Sequence, residues 1–346
     1  YFNPANMAFL PDGRSLELNL MYIHLTSIKN ETTGHETKEE NFLLPQLHVV
    51  TGFFDRWRWG FSITEPGGLS KRWSDAPENI TAKKFQLRVF EFNPSFSYKI
   101  SETLALGGGL RYIYTDGEVE AEGVLRSHME GHGNRYGYNV ALSFRPSDTF
   151  GMAVTYRNRI DLKETGYFES DGVFALFGRV GAEVSVPLPA TLDVAADYTF
   201  NNGDTTLEVV YEKVYWGKYQ SLDFNYDNPI IEGSIVGQPK EKNWVNTDTY
   251  RIGLTHHYDE KLTLMFGYAH DETPIPDETL GYELPDSDAN IFSLGFRYKI
   301  NDDMEIGMAY LLDKKDDRSV TNTSVGHAEF TNTYAHLVSF GLGYRY

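Results

Sequence analysis

Stretches of about ten residues in which apolar and polar side chains strictly alternate recur along this chain, and they constrain its fold more than any other feature. Between residues 289 and 300, Phe292, Leu294, Phe296, Tyr298 and Ile300 fall on one face, against Ser293, Gly295, Arg297 and Lys299. Between 190 and 200, Leu192, Val194, Ala196, Tyr198 and Phe200 oppose Thr191, Asp193, Ala195, Asp197 and Thr199. Phe150, Met152, Val154 and Tyr156 oppose Gly151, Ala153 and Thr155, and Leu104, Leu106, Leu110, Tyr112 and Tyr114 repeat the pattern. Period two over such lengths is the mark of a transmembrane β-strand, whose outer side meets lipid and whose inner side meets a lumen. A soluble sandwich also alternates, with its apolar face turned inward. Strand length and aromatics gathered at strand ends, as in membrane-interface girdles, favour the membrane barrel.

Composition agrees. Tyr 23 and Phe 22 bring aromatics to 14% of 346 residues, while mean hydropathy is −0.42. Alternation explains how so aromatic a chain averages polar, and no apolar run is long enough for a membrane helix. There are no cysteines, which removes disulfide frameworks and thiol chemistry. A formal net charge of −18 argues against a nucleic-acid partner. No leader precedes Tyr1, so an export signal is expected to have been removed.

The connections alternate between short and long. Asp55-Arg56, Ser101-Glu102, Pro146-Ser147-Asp148, Asp259-Glu260 and Asn301-Asp302-Asp303 are tight, whereas the stretches near 29–45, 67–83, 117–133, 165–187, 218–245, 271–288 and 314–331 are extended. Tight periplasmic turns and extended outer loops make this pattern in outer-membrane barrels. The count is about fourteen strands, an even number, expected near 15–28, 46–54, 57–65, 84–100, 103–116, 134–145, 149–164, 188–200, 204–217, 246–258, 261–270, 289–300, 303–313 and 332–346. The last strand ends on outward Phe340, Leu342, Tyr344 and Tyr346. Fold class is therefore all-β: an antiparallel transmembrane barrel over 15–346, with 1–14 as a short segment lodged in its lumen.

That segment is apolar and broken by Pro4 and Pro11, each of which removes a backbone donor and restricts the residue before it. Phe2, Met7, Phe9 and Leu10 are candidates to face whatever the lumen holds, positioned by Asn3-Pro4-Ala5, against the plainer reading of the stretch as a tether leading into the first strand.

Taken in order along nearly the whole chain, several stretches resemble the FadL-type outer-membrane transporters of long-chain fatty acids and other hydrophobic compounds. They are Asn3-Pro4-Ala5, Trp59-Gly60-Phe61-Ser62-Ile63-Thr64, Thr155-Tyr156-Arg157, Pro187-Leu188-Pro189, Tyr250-Arg251-Ile252-Gly253-Leu254, Pro274-Ile275-Pro276 and Leu284-Pro285-Asp286-Ser287-Asp288. The resemblance implies fourteen strands, an N-terminal hatch of which 1–14 is the remnant, and a kinked third strand that opens the wall sideways. Its counterpart here is Glu65-Pro66-Gly67-Gly68, where proline and two glycines suit bulged geometry. The alternative is that the third strand simply ends there. In one respect the chain departs from the family. Fatty-acid-type members carry basic residues near the ends of strands five and ten, but Tyr114-Thr115-Asp116-Gly117-Glu118 and Val245-Asn246-Thr247-Asp248-Thr249 contain none. That leaves neutral hydrocarbons or aromatics open as cargo beside fatty acids.

If Leu16, Leu18, Leu20 and Tyr22 face lipid, then Met21, Ile23 and Leu25 line the lumen, an apolar lining that suits hydrophobic cargo better than a water-filled porin. Inward charges by alternation include Arg58, Glu91, Arg111, Arg157, Arg159, Asp161 and Arg251. Arg111, Arg157 and Arg251 are candidates to clasp a ligand carboxylate, against the plainer reading that they pair with lumenal acids. The apolar run Val173-Phe174-Ala175-Leu176-Phe177 sits in an outer loop, where Phe174 and Phe177 are candidates to line a capture groove. His128 and His132 make a poor metal pair in a glycine-rich loop, and Asp286, Asp288 and Asn290 lack the glycine and glutamate of a calcium loop. No metal or cofactor is expected. The function expected is passive uptake of hydrophobic small molecules by a single-chain barrel in a Gram-negative outer membrane, among lipid and lipopolysaccharide. The alternatives are an outer-membrane enzyme, omptin-like protease or phospholipase, and a general polar porin.

Overall fold

The computed structural model describes residues 1–123 and 126–346. Seventeen strand segments form one antiparallel sheet. Two wall strands are each broken into two segments, and one segment, Phe224–Tyr226, belongs to an outer loop, which leaves fourteen staves. They are β1 (Ser15–Leu25), β2 (Glu40–Val50), β3 (Trp57–Lys71), β4 (Lys84–Lys99), β5 (Leu104–Glu122), β6 (Arg126–Ser147) and β7 (Phe150–Arg157, then Ile160–Ser170). There follow β8 (Val180–Leu188, then Ala190–Phe200), β9 (Thr205–Tyr215), β10 (Thr247–His257), β11 (Leu262–Asp271), β12 (Ala289–Lys299), β13 (Met304–Lys315) and β14 (Tyr334–Arg345). β1 pairs with β14 over its full length, from Ser15↔Arg345 to Leu25↔Ala335, so the sheet closes on itself. Closure removes the sheet's two outer edges, as a strand wall in lipid requires.

The lipid-facing side chains are the expected ones. Leu18, Leu20 and Tyr22 on β1, Leu106 and Leu110 on β5, and Phe340, Leu342 and Tyr344 on β14 are all exposed. Aromatics pair across strands at both ends of this band, their rings tilted to one another. Trp57 against Tyr98 marks the tight-turn end, and the pairs Tyr112–Tyr136, Tyr211–Tyr250 and Tyr268–Phe292 mark the other.

Strand ends differ from expectation mostly on the outer side. β3 continues through Pro66 to Lys71 rather than stopping at 65, β5 and β6 run on to 122 and back from 126, and β8 begins at Val180. Above the membrane these strands lose the lipid-facing apolar face, so the period that marks them fades: Glu118, Glu120, His128 and Glu130 alternate with small or apolar residues. The outer loop expected near 117–133 is thus mostly a strand hairpin, with positions 124 and 125 outside the described residues.

The largest apolar core lies outside the wall, in the outer loops. Ile28, Trp73, Tyr219, Trp244, Leu280, Tyr282 and Phe330 come together from five connections. The Trp73 indole donates to the Tyr282 carbonyl at 2.8 Å, and the Tyr282 hydroxyl donates to the Val325 carbonyl at 2.9 Å. A four-stranded sheet of loop segments, Lys29–Asn30, His35–Glu36, Arg318–Asn322 and Gly326–Thr331, frames this crown.

Candidate functional site: lumen, inner segment and wall gap

The segment Pro4–Phe9 lies against the inner faces of β3 to β6. Pro4–Phe9 forms a 3-10 helix whose start is capped by Asn3, the side chain accepting from the Ala5 amide at 3.0 Å. The wall is shaped to receive it. A Cβ at Gly107 would collide with the Pro4–Ala5 backbone, and one at Gly60 would meet the Met7 sulfur at 2.7 Å. Ala5 and Ala8 pack on Ala105 and Ala141, with Phe9 alongside. The Arg58 side chain, 1% exposed, donates to the carbonyls of Met7 at 2.9 Å, Leu10 at 3.0 Å, Pro11 at 2.6 Å and Gly13 at 2.9 Å. The Asn3 amide donates to Ser143 Oγ at 2.9 Å.

Met7, expected to face cargo, is instead buried against the wall because Gly60 leaves a socket for it. Phe9 is half-buried beneath the Arg145 guanidinium, while Phe2 and Leu10 are exposed.

Above this segment, Glu91 is fully buried and holds two arginines. Arg111 donates to it from Nε at 3.1 Å and Nη2 at 2.9 Å, and Arg157 donates at 2.5 Å. Arg157 also donates to the Tyr1 hydroxyl at 2.8 Å and lies over its ring. Buried charge demands such partners, and here the acid stands between two bases. Arg251 meets Glu212 at 3.0 Å. All three candidate arginines are therefore engaged by protein carboxylates, as the plainer reading held.

The register sets Met21, Ile23 and Leu25 among further apolar residues of the neighbouring strands. Met21 stands opposite Leu44 and Ser339, Ile23 opposite Phe42 and Leu337, and Leu25 opposite Ala335. All three are half-buried, and Leu311 on β13 extends the patch beyond Leu337.

This patch borders a break in the wall. β2 and β3 pair only from Val50↔Gly60 to Leu47↔Ile63. Above that level, 40–46 and 64–71 share no ladder pair among the described residues; the Ser70 hydroxyl donates to the Glu40 carboxylate across the top of the break, and the backbones meet again at the Lys38 amide on the Arg72 carbonyl, 2.9 Å, beside the Thr37↔Trp73 bridge. On its other side β3 slips register against β4 between Thr64 and Gly67, where the two residues Glu65 and Pro66 stand opposite the single residue Phe90 of β4. Proline removes the donor that would continue a ladder, and Pro45 stands in the facing stretch of β2. Of the two readings of Glu65-Pro66-Gly67-Gly68, the end of the strand fails, since β3 continues. A bulge stands in its place.

A second irregularity was not legible in the sequence. β7 breaks at Asn158-Arg159, and 133–138 of β6 and 158–164 of β7 share no ladder pair among the described residues; Asn158 bridges them, its amide donating to the Tyr138 carbonyl at 3.1 Å and its side-chain oxygen accepting from the Tyr138 amide at 2.6 Å. The inserted residue shifts the inward phase, so Ile160 and Leu162 bury against Val89 and Ile113. Arg159 and Asp161, expected inside, pair with each other at 2.5 Å, and Asp161 is 59% exposed. In the outer loop, Phe174 and Phe177 sit on a short 3-10 helix, Gly172–Phe177, and pack on the crown, leaving Val173 and Leu176 exposed. His128 lies on β6 within reach of Glu118 and Glu120, both of which have lysine partners, Lys84 and Lys83. The acidic loop 271–288 is likewise met by bases from neighbouring loops, Arg318 on Asp277 at 2.6 Å and Lys315 on Asp286 at 2.7 Å.

A closed fourteen-stave wall with an aromatic band at each end, a loop crown and an inner segment defines a transmembrane β-barrel of the outer-membrane type. The family model for outer membrane protein transport proteins (OMPP1/FadL/TodX) matches residues 1–346, and the chain belongs to that family. It is 24% identical over 339 residues to the long-chain fatty acid transport protein of Escherichia coli O6:H1, covering 83% of this chain and 74% of that one. It is 22% identical to outer membrane protein P1 of Haemophilus influenzae, covering 88% and 75%. Among solved structures it is similar to a Pseudomonas aeruginosa FadL homologue, with a TM-score of 0.88, 19% identity and coverage of 99% and 92%. The Ralstonia pickettii toluene transporter TbuX gives a TM-score of 0.77 at 16% identity, with coverage of 99% and 92%. The protein is thus an outer-membrane barrel of a transport family.

Proposed function

We propose that the barrel takes hydrophobic small molecules in passively, by capture at the outer loops, residence against the apolar lumen lining, and exit sideways through the gap between β2 and β3. The observation that carries this reading is the adjacency of the gap to Met21, Ile23, Phe42 and Leu44. An apolar solute resting there has a ladder-free stretch of wall beside it and a polar, arginine-braced floor below it. Residues 1–14 act as the end of a hatch that keeps the lumen from being a through-pore, with Phe2 and Leu10 turned to the cargo space. Phe174 and Phe177 shape the outer capture surface. The reading includes a single-chain unit set among lipopolysaccharide, and it assigns the chain no enzymatic step. With Arg111, Arg157 and Arg251 each committed to an acid, neutral hydrocarbons and aromatics fit the lumen better than free fatty acids.

Two measurements test it. Uptake of a labelled alkylbenzene and a labelled fatty acid is compared between wild type and Pro66→Ala/Gly68→Val, which restores a backbone donor and adds a side chain beside the Leu87 carbonyl. A fall of about tenfold in the double variant is expected, and unchanged uptake of both cargoes sinks the lateral exit. Liposomes carrying the protein should swell only slowly in sugar solutions. Rapid sugar flux would make it a general porin instead.

A further inference from the structure

Glu164 lies on the inward-shifted part of β7, next to the apolar pair Ile160 and Leu162. It is 6% exposed, and its Oε1 has no hydrogen-bond partner among the described residues. The bases nearby are taken: Lys163 holds Glu183, and Lys84 holds Glu118. Room for the carboxyl comes from Gly117, where a methyl group would collide with Oε2. The carboxyl forms part of the wall of a cavity at the outer end of the lumen, beneath the crown, whose other walls include Phe85, Leu87, Val119, Met129 and Phe224. A buried polar atom without a partner costs free energy, and that cost falls on the cavity as it stands.

We infer that this cavity selects cargo with an apolar body and a single hydrogen-bond donor, a hydroxyl or amino group, which the Glu164 carboxyl accepts. The inference rests on the uptake reading above and narrows it. An alcohol entering the cavity donates to the Glu164 carboxyl while its chain packs on the aromatic and aliphatic walls. A carboxylate entering the same way brings its charge into an apolar cavity where the neighbouring bases are already paired. A plain alkane fits the walls but leaves Oε1 as it was. The residue determines specificity by contact and needs no bond made or broken.

Uptake of tritiated 1-dodecanol, dodecanoate and dodecane is measured in cells carrying the wild-type barrel, the Glu164→Leu variant or no barrel, with unboiled gel mobility reporting folding. Wild type should take dodecanol about tenfold faster than dodecanoate, and Glu164→Leu should lower dodecanol uptake about tenfold while leaving dodecane within about twofold. Dodecanoate matching or exceeding dodecanol in wild type overturns the inference, and that comparison stands even where the variant fails to fold. A dodecanol-to-dodecane ratio unchanged in a folded variant overturns it as well. Uptake of none of the three above the barrel-free background overturns the transport reading, and this inference with it. That outcome is distinct from equal uptake of all three, which overturns the specificity alone.

Discussion

Arg58 reaches four carbonyls of the inner segment at once, so a single guanidinium replaces the ladder that a helix or strand would have supplied there. Hydrogen bonds from a charged donor are each worth about 1.5–3 kcal/mol, and Arg58→Ala removes all four. Amide exchange across 4–13 should accelerate by at least a hundredfold in that variant while the wall keeps its protection; unchanged exchange would mean that packing on Ala105 and Ala141 holds the segment alone. Glu91 is the more damaging site. Glu91→Ala strands Arg111 and Arg157 in the interior, and losing one partner of a buried ion pair costs about 3–5 kcal/mol. A drop in the temperature at which the folded band disappears from an unboiled gel measures it, and a drop no larger than that of an exposed-pair control such as Lys99→Ala would refute it. The segment's aromatic and apolar residues announced that it needed cover. Which of them point to the wall was hidden, because the socket at Gly60 that swallows Met7 belongs to another strand.

At the scale of elements, the strands legible in the sequence are those with lipid on one side. β1, β12 and β14 were within a few residues of their observed ends, since lipid enforces an apolar outer face. β6 and β8 were cut short because their outer halves stand in water or under the crown. β7 follows alternation only as far as Arg157. One inserted residue near Arg159 turned Ile160 inward and Asp161 outward, and period-two reading carries no signal for a phase change of that kind. The crown adds a pH-sensitive contact. The Asn30 amide and the Thr33 hydroxyl both donate to Glu78 at 2.7 Å, and His35 Nδ1 lies 2.9 Å from it. Burial pushes the Glu78 carboxyl up, but the donors from Thr33, His35 and Asn30 outweigh it and hold the group below its ordinary range. The hydrogen bond to Glu78 holds His35 above its own ordinary value. A raised histidine stabilises the fold below its unfolded value and loses that effect as pH climbs through the raised one. A lowered carboxylate stabilises above its unfolded value and loses the effect as pH falls. Both conditions hold between about pH 5 and 6. Amides of 26–39 should be best protected at pH 5.5 and less so at pH 8, after correction for intrinsic exchange; equal protection at both would show that the contact does not matter. Trp73→Ala removes the indole at the centre of the crown, at a cost of about 3–5 kcal/mol. Loop cleavage by trypsin should quicken while the folded barrel band persists.

At the scale of the molecule, the barrel carries two cores of different kinds. The wall is held by hydrogen bonds and by the lipid around it. The crown is held as a small water-soluble domain would be, by a cluster of buried aromatics and aliphatics. The break between β2 and β3 starts at Leu47↔Ile63, and lipid-facing Leu18 and Leu20 lie at that height on the neighbouring strand. Amides and carbonyls without a ladder partner at that depth keep water beside them, since hydrocarbon offers nothing in exchange. Water held there draws lipid headgroups down toward it and thins the outer leaflet along one side of the protein. A lopsided dent on that side is the expected consequence, and the proposed exit would deliver its solute where the leaflet is shallowest.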